Sequence, residues 1–164
     1  MTQEEKQLLL QDLSARLTYG VKVQVCNLKE YSPTVKGLLG DNLFLQFDYN
    51  IKPVKNGDST YNIINDNVKP YLRPMSDMTE EEALKLWDLI YSSYRRNKIL
   101  EIIIKGECID YILDDGVTST ETFSIYYDNV VRTIDTFDWL NFHHFDYRGL
   151  IEKGLAIEAP EDMY

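Results

Sequence analysis

Two stretches of the chain repeat their apolar residues at helical spacing, and each begins with a capping box. Thr2 followed by Glu5 predicts a helix start, because the two side chains satisfy amide groups that have no partner in a first helical turn. This helix should cover residues 3–18, with an apolar face of Leu8, Leu9, Leu13 and Leu17. Thr79 and Glu82 repeat the box before a second predicted helix, whose apolar face comprises Ala83, Leu84, Trp87, Ile90, Tyr91 and Tyr94.

Short β-type stretches lie between these two helices. Alternating or β-branched residues, separated by turn signals, predict five strands over residues 21–25, 35–39, 43–47, 61–64 and 68–72. A helix followed by five short strands is the element order of a small antiparallel barrel of the SH3-like or Sm-like type. An open, strongly bent antiparallel sheet fits the same pattern.

The second half begins after a predicted linker, residues 74–78. Its first helix should be followed by strands over residues 99–104, 108–113 and 120–127, with a helix over 97–105 as an alternative reading of the first of these. Asp114-Asp115-Gly116 is a hairpin signal between the last two strands.

Two short helices should close the chain. One is expected over residues 136–144. Asp146 is placed to cap the other, with Phe145 and Leu150 as a hydrophobic staple and Gly154 as a left-handed stop.

The sequence therefore predicts an α+β fold: an N-terminal helix, a small antiparallel barrel-like sheet, then a helix, a β-hairpin and two short C-terminal helices. The predicted domains are a helix plus barrel-like unit over residues 1–73 and an acidic α+β unit over residues 74–164. Whether the two share one core is left open by the sequence.

The charge is unevenly distributed between these halves. Residues 1–73 carry nine Lys/Arg and eight Asp/Glu, whereas residues 74–164 carry eight and nineteen, so the net charges are +1 and −11. An acidic surface repels phosphate backbones and anionic lipid, and it suits a basic protein partner, although solubility alone would also account for it. With no signal peptide, no apolar run of membrane-spanning length and only two cysteines, we expect a cytoplasmic protein with reduced thiols.

Motifs that carry chemistry are not found in the sequence. It has no GxSxG, GxxxxGK[ST], GxGxxG or paired CxxC, so no catalytic residue, cofactor or metal is predicted and we expect a non-enzymatic protein. His143 and His144 with Asp146 suggest a metal site, but adjacent histidines on a helix point about 100° apart and rarely share an ion.

An alternative function would use a set of basic and tyrosine residues in the first half. Small barrels bind single-stranded nucleic acid by stacking bases on aromatic rings and neutralising phosphates. The candidate nucleic-acid face comprises Tyr49, Lys52, Lys55, Tyr61, Lys69, Tyr71 and Arg73. The nearly neutral charge of this half favours the protein-partner hypothesis.

The closing segment, residues 142–157 (FHHFDYRGLIEKGLAI), resembles the ending of a family of small acidic proteins from gut bacteria, their mobile elements and phages. The opening residues 1–6 and residues 69–82 are similar to the same family. The resemblance implies an accessory protein of mobile DNA, and it brings no catalytic residue, substrate or cofactor. We therefore predict an interaction protein, with His143, His144 and Arg148 as candidate interaction residues that the closing helix leaves accessible.

Overall fold

A computed structural model describes residues 1–25, 31–47, 60–91, 98–106, 108–114, 116–123 and 134–164. Within these ranges the fold is α+β, with three α-helices and three three-stranded sheets, none of them closed into a barrel. The helices are α1 (Gln3–Ala15), α2 (Glu80–Tyr91) and α3 (Ile134–Phe142). The strands are β1 (Val23–Gln24), β2 (Thr34–Leu39), β3 (Asn42–Gln46), β4 (Thr60–Asn62), β5 (Lys69–Leu72), β6 (Ile99–Lys105), β7 (Cys108–Asp114), β8 (Thr118–Phe123) and β9 (Ile157–Glu158).

The chain forms two compact units. The first contains Met1–Leu72 together with Leu150–Tyr164, and the second contains Arg73–Gly149. The sequence analysis divided the chain into residues 1–73 and 74–164, whereas the compact units divide it after Leu72 and after Gly149. Each unit has its own cluster of buried apolar residues. Leu150, Leu155 and Ala156 belong to the cluster of the first unit.

The first unit begins with the predicted capping box. The Thr2 amide donates to Glu5 Oε2 at 2.6 Å, and the Glu5 amide donates to Thr2 Oγ1 at 3.1 Å. The helix α1 is shorter than predicted, since it ends at Ala15 and a 3-10 turn over Leu17–Tyr19 follows. Gly20 ends that turn with φ +71°, a backbone conformation that glycine adopts without strain.

Two sheets complete the first unit, in strand orders β2-β3-β4 and β1-β5-β9. The pairs are antiparallel except β5–β9, which is parallel. Backbone hydrogen bonds also join β1 to the start of β2: the Val23 amide donates to Pro33 O and the Val35 amide to Val21 O, both at 2.9 Å. Each of the five strands predicted in this half has an observed counterpart, with ends that differ by a few residues.

In the second unit, α2 packs on one face of the antiparallel sheet β6-β7-β8. The Thr79–Glu82 capping box is present, with the Glu82 amide donating to Thr79 Oγ1 at 3.2 Å and the Thr79 amide to Glu82 Oε2 at 2.9 Å. Trp87 is fully buried against Tyr111, whose hydroxyl donates to the Ala83 carbonyl at 2.7 Å. The strand reading of residues 99–104 is confirmed, and the helix alternative is wrong.

The predicted second C-terminal helix is not formed. Residues 147–154 are mainly turns, and Gly149 and Gly154 have φ +64° and +68°, outside the right-handed helical region. The Asp146 amide donates to the Arg73 carbonyl at 2.7 Å, which holds this backbone in an extended pairing instead of a helix cap. The left-handed stop at Gly154 does occur, because the Leu155 amide donates to Leu150 O at 2.9 Å as in a Schellman ending.

The proposed staple residues of that helix belong to different cores. Phe145 is buried in the core of the second unit, and Leu150 is buried in the core of the first. In the described part of the chain, no helix is long and apolar enough to cross a membrane.

Candidate functional site

The carboxylate of Glu82 is a densely hydrogen-bonded polar group of the second unit. It accepts two hydrogen bonds from the Arg73 guanidinium, at 2.8 and 3.1 Å, and it also accepts the amide and hydroxyl of Thr79 at 2.9 and 3.1 Å. Such a bidentate arrangement is stronger and more directional than a single contact. The Arg73 guanidinium also stacks over the Phe145 ring, 4.2 Å from its centroid.

These contacts set the ionisation of Glu82. Burial alone would raise the pKa of this carboxyl, but the hydrogen bonds and charge of Arg73, together with those from Thr79, lower the pKa below its usual value. Glu82 is therefore a carboxylate at neutral pH. Its oxygens are occupied by structural donors, which suits a positioning role rather than proton transfer.

His143 lies beside this ion pair, immediately after α3. Its Nδ1 is 3.7 Å from Glu82 Oε1, too long for a hydrogen bond, and its side chain is 30% exposed. Burial lowers the pKa of the imidazole; the Glu82 carboxylate opposes that shift and the Arg73 charge adds to it. His143 is therefore mostly neutral at pH 7, and it presents an aromatic ring rather than a cation.

Aromatic rings surround His143 at the end of α3. The ring centroid of Trp139 lies 4.4 Å from that of His143, and the Phe142 ring stands edge-on at 5.0 Å. Trp139 is half-buried, whereas Phe142 is 60% exposed. The end of α3 thus offers an accessible aromatic surface, and its Trp139 ring stacks on that of buried Phe145, with 5.9 Å between the ring centroids.

The exposed side of α3 continues this surface towards its N-terminus. At 100° per residue, Ile134, Asp135, Asp138 and Phe142 fall within an arc of about 100°. All four are exposed, Ile134 at 80%, while Thr136 and Leu140 on the opposite side are buried. We call these four residues the α3 face. It alternates large apolar side chains with carboxylates.

The three predicted interaction residues have different environments. His143 belongs to the aromatic surface just described. His144 is only 4% exposed and has φ +57°, and its carbonyl accepts the Arg73 amide at 2.9 Å, so it is part of the packing rather than accessible. Arg148 is half-buried, with its guanidinium 5.1 Å from the centroid of the Tyr147 ring.

The candidate nucleic-acid face is not assembled as a surface by the residues that can be placed. Tyr61 and Tyr71 are 3% and 7% exposed and belong to the interior, so their rings offer no platform for a base. Lys69 is half-buried in β5, and Arg73 lies in the second unit, paired with Glu82. Tyr49, Lys52 and Lys55 lie outside the described residues.

Among the described residues, His143 and Asp146 do not belong to a cluster of metal ligands. Across the described ranges, no three His, Cys, Asp or Glu side chains are grouped to hold an ion. Cys108 is a half-buried free thiol at the start of β7, and Cys26 lies outside the described residues.

Sequence reasoning missed both main features of this site. Arg73 and Glu82 are nine residues apart across a predicted linker, and no local spacing rule joins them. The α3 face did leave a signal, because Ile134, Asp138 and Phe142 repeat at intervals of four. The helix start was predicted at residue 136, which left Ile134 off the helix.

Comparison with known proteins assigns no family and no function to the chain. No protein-family model, no curated protein and no solved structure matches the chain.

Proposed function

We propose that this protein is a non-enzymatic interaction protein whose second unit binds a basic protein partner through the α3 face. The supporting observation is the exposed helix side on which Asp135 and Asp138 lie between Ile134 and Phe142. Apolar anchors bordered by carboxylates suit a partner segment that combines Leu-like side chains with Lys or Arg. The net charge of residues 73–149, with eight Lys/Arg and fifteen Asp/Glu, is −7 and would favour the approach of such a partner.

The Arg73–Glu82 pair supports this proposal by making the surface rigid. The ion pair connects Arg73, which precedes α2, to the first turn of that helix. Arg73 also stacks on the Phe145 ring, and Phe145 in turn stacks on Trp139. A binding surface that is already ordered loses less side-chain entropy on association. The resemblance of the closing segment would make the protein an accessory factor of a mobile element or phage.

For the first unit, we infer a scaffold related to small barrels. The backbone bonds between β1 and the start of β2 give the consecutive neighbours β4-β3-β2-β1-β5, with α1 preceding them. This series of neighbouring strands after a helix supports the inferred relation to small barrels of the SH3-like or Sm-like type. Residues 150–164 are part of this scaffold, because they supply Leu150, Leu155 and Ala156 to its core. Circular dichroism or limited proteolysis of the isolated first unit therefore has to include them.

Binding to defined peptides tests the proposed function. The probe is a labelled amphipathic peptide of lysine and leucine, about four helical turns long, with a glutamate–leucine peptide of equal length as its counterpart. Fluorescence anisotropy should show saturable binding of the lysine peptide alone, weakening as salt rises. Failure of the wild-type protein to bind the lysine peptide at about 50 mM salt, or equal binding of both peptides, would overturn the proposal.

Matched variants locate the binding surface. Asp135→Asn with Asp138→Asn should weaken binding up to about thirtyfold, since each of the two exposed ion pairs contributes up to about 1 kcal/mol. The control, Glu161→Gln with Asp162→Asn, removes the same charge from exposed positions of the first unit and should leave affinity nearly unchanged. Salt-sensitive retention of single-stranded RNA would instead favour the nucleic-acid alternative.

A further inference from the structure

The strand β6 is an apolar edge strand whose outer side pairs with no strand among the described residues. Its sequence is ILEIIIK, and none of its seven residues is buried, although five are Ile or Leu. Leu100 is 62% exposed. Soluble proteins ordinarily protect such an edge with charges, proline or a covering segment, since it is a template for strand pairing.

The hydrogen-bonding groups of this edge are available. The strand β6 pairs with β7 on one side, and β8 lies beyond β7. Among the described residues, no backbone bond leads from Ile99–Lys105 to any segment other than β7. The outward-pointing amides and carbonyls of β6 can therefore accept one further antiparallel strand.

The side chains of β6 fall into two sets because strand residues alternate between faces. Ile99, Ile102 and Ile104 pack towards the core beneath the sheet. Glu101, Ile103 and Lys105 point to the other face, where they stand opposite Ile112, Asp110 and Cys108 of β7. A bulge between Ile99 and Glu101 limits regular pairing to the second part of the strand.

This outer set is self-complementary. If a second copy of β6 pairs antiparallel with Ile103 opposite itself, Glu101 of each copy stands opposite Lys105 of the other. Both charge pairs lie on one face, Ile102 faces Ile104 on the other, and a two-fold axis relates the copies. Shifting the register by two residues in either direction loses both Glu–Lys pairs, and a shift by one residue places apolar side chains opposite charged ones.

We propose that two copies of this protein associate through β6, paired antiparallel about Ile103, to form a continuous six-stranded sheet. The partner is a second copy rather than an unrelated strand, because the two charges of the edge match each other in this register. Lys105 Nζ already lies 3.2 Å from Asp110 Oδ2 of its own chain. Because the Lys105 side chain is exposed, it can also approach Glu101 of the second copy. This surface is separate from the α3 face, so the two proposals are tested independently.

Charge reversal tests the register directly. Light scattering coupled to size exclusion, over a range of concentrations, should show a dimer for the wild-type protein. Glu101→Lys and Lys105→Glu should each weaken it about tenfold, because each places two like-charged pairs across the axis. An equimolar mixture of these two variants should recover the dimer, since every pair in the mixed species joins a lysine to a glutamate. The double variant should also recover it.

A cysteine pair gives a second measurement that does not depend on affinity. Ile103→Cys should form a disulfide-linked dimer on mild oxidation, since residue 103 faces itself across the axis. Leu100→Cys, which is more exposed but lies far from its counterpart, should form much less. Far-UV circular dichroism checks that each variant is folded. A wild-type monomer at every concentration, or a variant mixture that stays unassociated, overturns the proposal.

Discussion

Neutralising Glu82 by Glu82→Gln should destabilise the second unit through two separable contributions. The carboxylate closes the capping box of α2 with Thr79, and it also pairs bidentately with Arg73. Glutamine keeps the size of the side chain. It removes the charge and leaves an amide group facing the guanidinium, so one of the two Arg73 bonds is lost.

The magnitude follows from the geometry. A capping residue contributes about 1 kcal/mol to the free energy of unfolding, and glutamine retains part of this. The Arg73 and Glu82 side chains are 23% and 19% exposed, so their pair lies between the surface case of at most about 1 kcal/mol and the buried case of about 3–5 kcal/mol. We expect Glu82→Gln to cost about 2 kcal/mol, and a double-mutant cycle with Arg73→Gln to give a coupling of about 1.5 kcal/mol.

Tryptophan fluorescence during urea unfolding reports on this unit selectively. Both tryptophans of the chain, Trp87 and Trp139, lie within residues 73–149, so their emission follows the second unit even if the first unfolds separately. Glu81→Gln is the matched control: it removes the neighbouring exposed charge from the same helical turn, and it should cost at most about 0.5 kcal/mol. A coupling below about 0.5 kcal/mol between Arg73 and Glu82 would refute the assignment of the pair as a stabilising contact.

The pH dependence supplies a second check. The folded protein holds the pKa of Glu82 below its ordinary value of 4.5, so the unfolded chain binds more protons in acid. The stabilisation is present above the ordinary value and is lost as pH falls through the lowered pKa. For His143 the folded pKa is also lowered, so stability falls as pH drops below its ordinary value of 6.5. Glu82→Gln should remove the first loss and deepen the second, because the carboxylate no longer stabilises the imidazolium.

Three further predictions concern single contacts. Asp12→Asn should lower the free energy of unfolding by about 3–5 kcal/mol, because the fully buried Arg16 guanidinium loses the carboxylate to which it donates at 2.8 and 3.0 Å. The far-UV circular-dichroism transition of the first unit measures this, and a loss under about 1 kcal/mol would contradict it. Tyr111→Phe should cost about 1 kcal/mol by tryptophan fluorescence, since it removes the hydrogen bond that the Tyr111 hydroxyl adds to the buried Ala83 carbonyl, and an unchanged urea midpoint would argue against that bond. Gly154→Ala should lower the stability of the first unit by about 1 kcal/mol through its φ of +68° alone, as no atom lies within 4 Å of the added carbon; a neutral result would mean that the turn relaxes.

Local patterns predicted much of this fold because the deciding interactions are local. Both capping boxes join residues three apart, and the alternation of β7 follows from the period of a strand. The α+β class and the approximate position of the strands followed from such rules. The strand β9 was missed, because two residues carry too little pattern to be recognised before their partner β5 is known.

Features that depend on distant partners were not predictable. Tyr61 and Tyr71 looked like a binding face because tyrosine suits surfaces as well as interiors, and only the packing of the first core decides between them. His144 was expected to be accessible by helical spacing. The backbone leaves the helix after Phe142 and adopts φ +57° at His144, which directs that residue inward.

The closing segment shows why a distinctive string need not mark an active site. Residues up to Gly149 belong to the second unit and residues from Leu150 to the first, so one short stretch supplies side chains to two cores. Phe145 and Tyr147 are buried in one core, and Leu150, Leu155 and Ala156 in the other. Each of these positions is constrained by packing, and the glycines at 149 and 154 are constrained by positive φ. Two sets of structural demands therefore coincide within a dozen residues, and they account for the character of the segment. The surface that we propose for recognition, the α3 face and the ring of His143, overlaps only the first two residues of the segment.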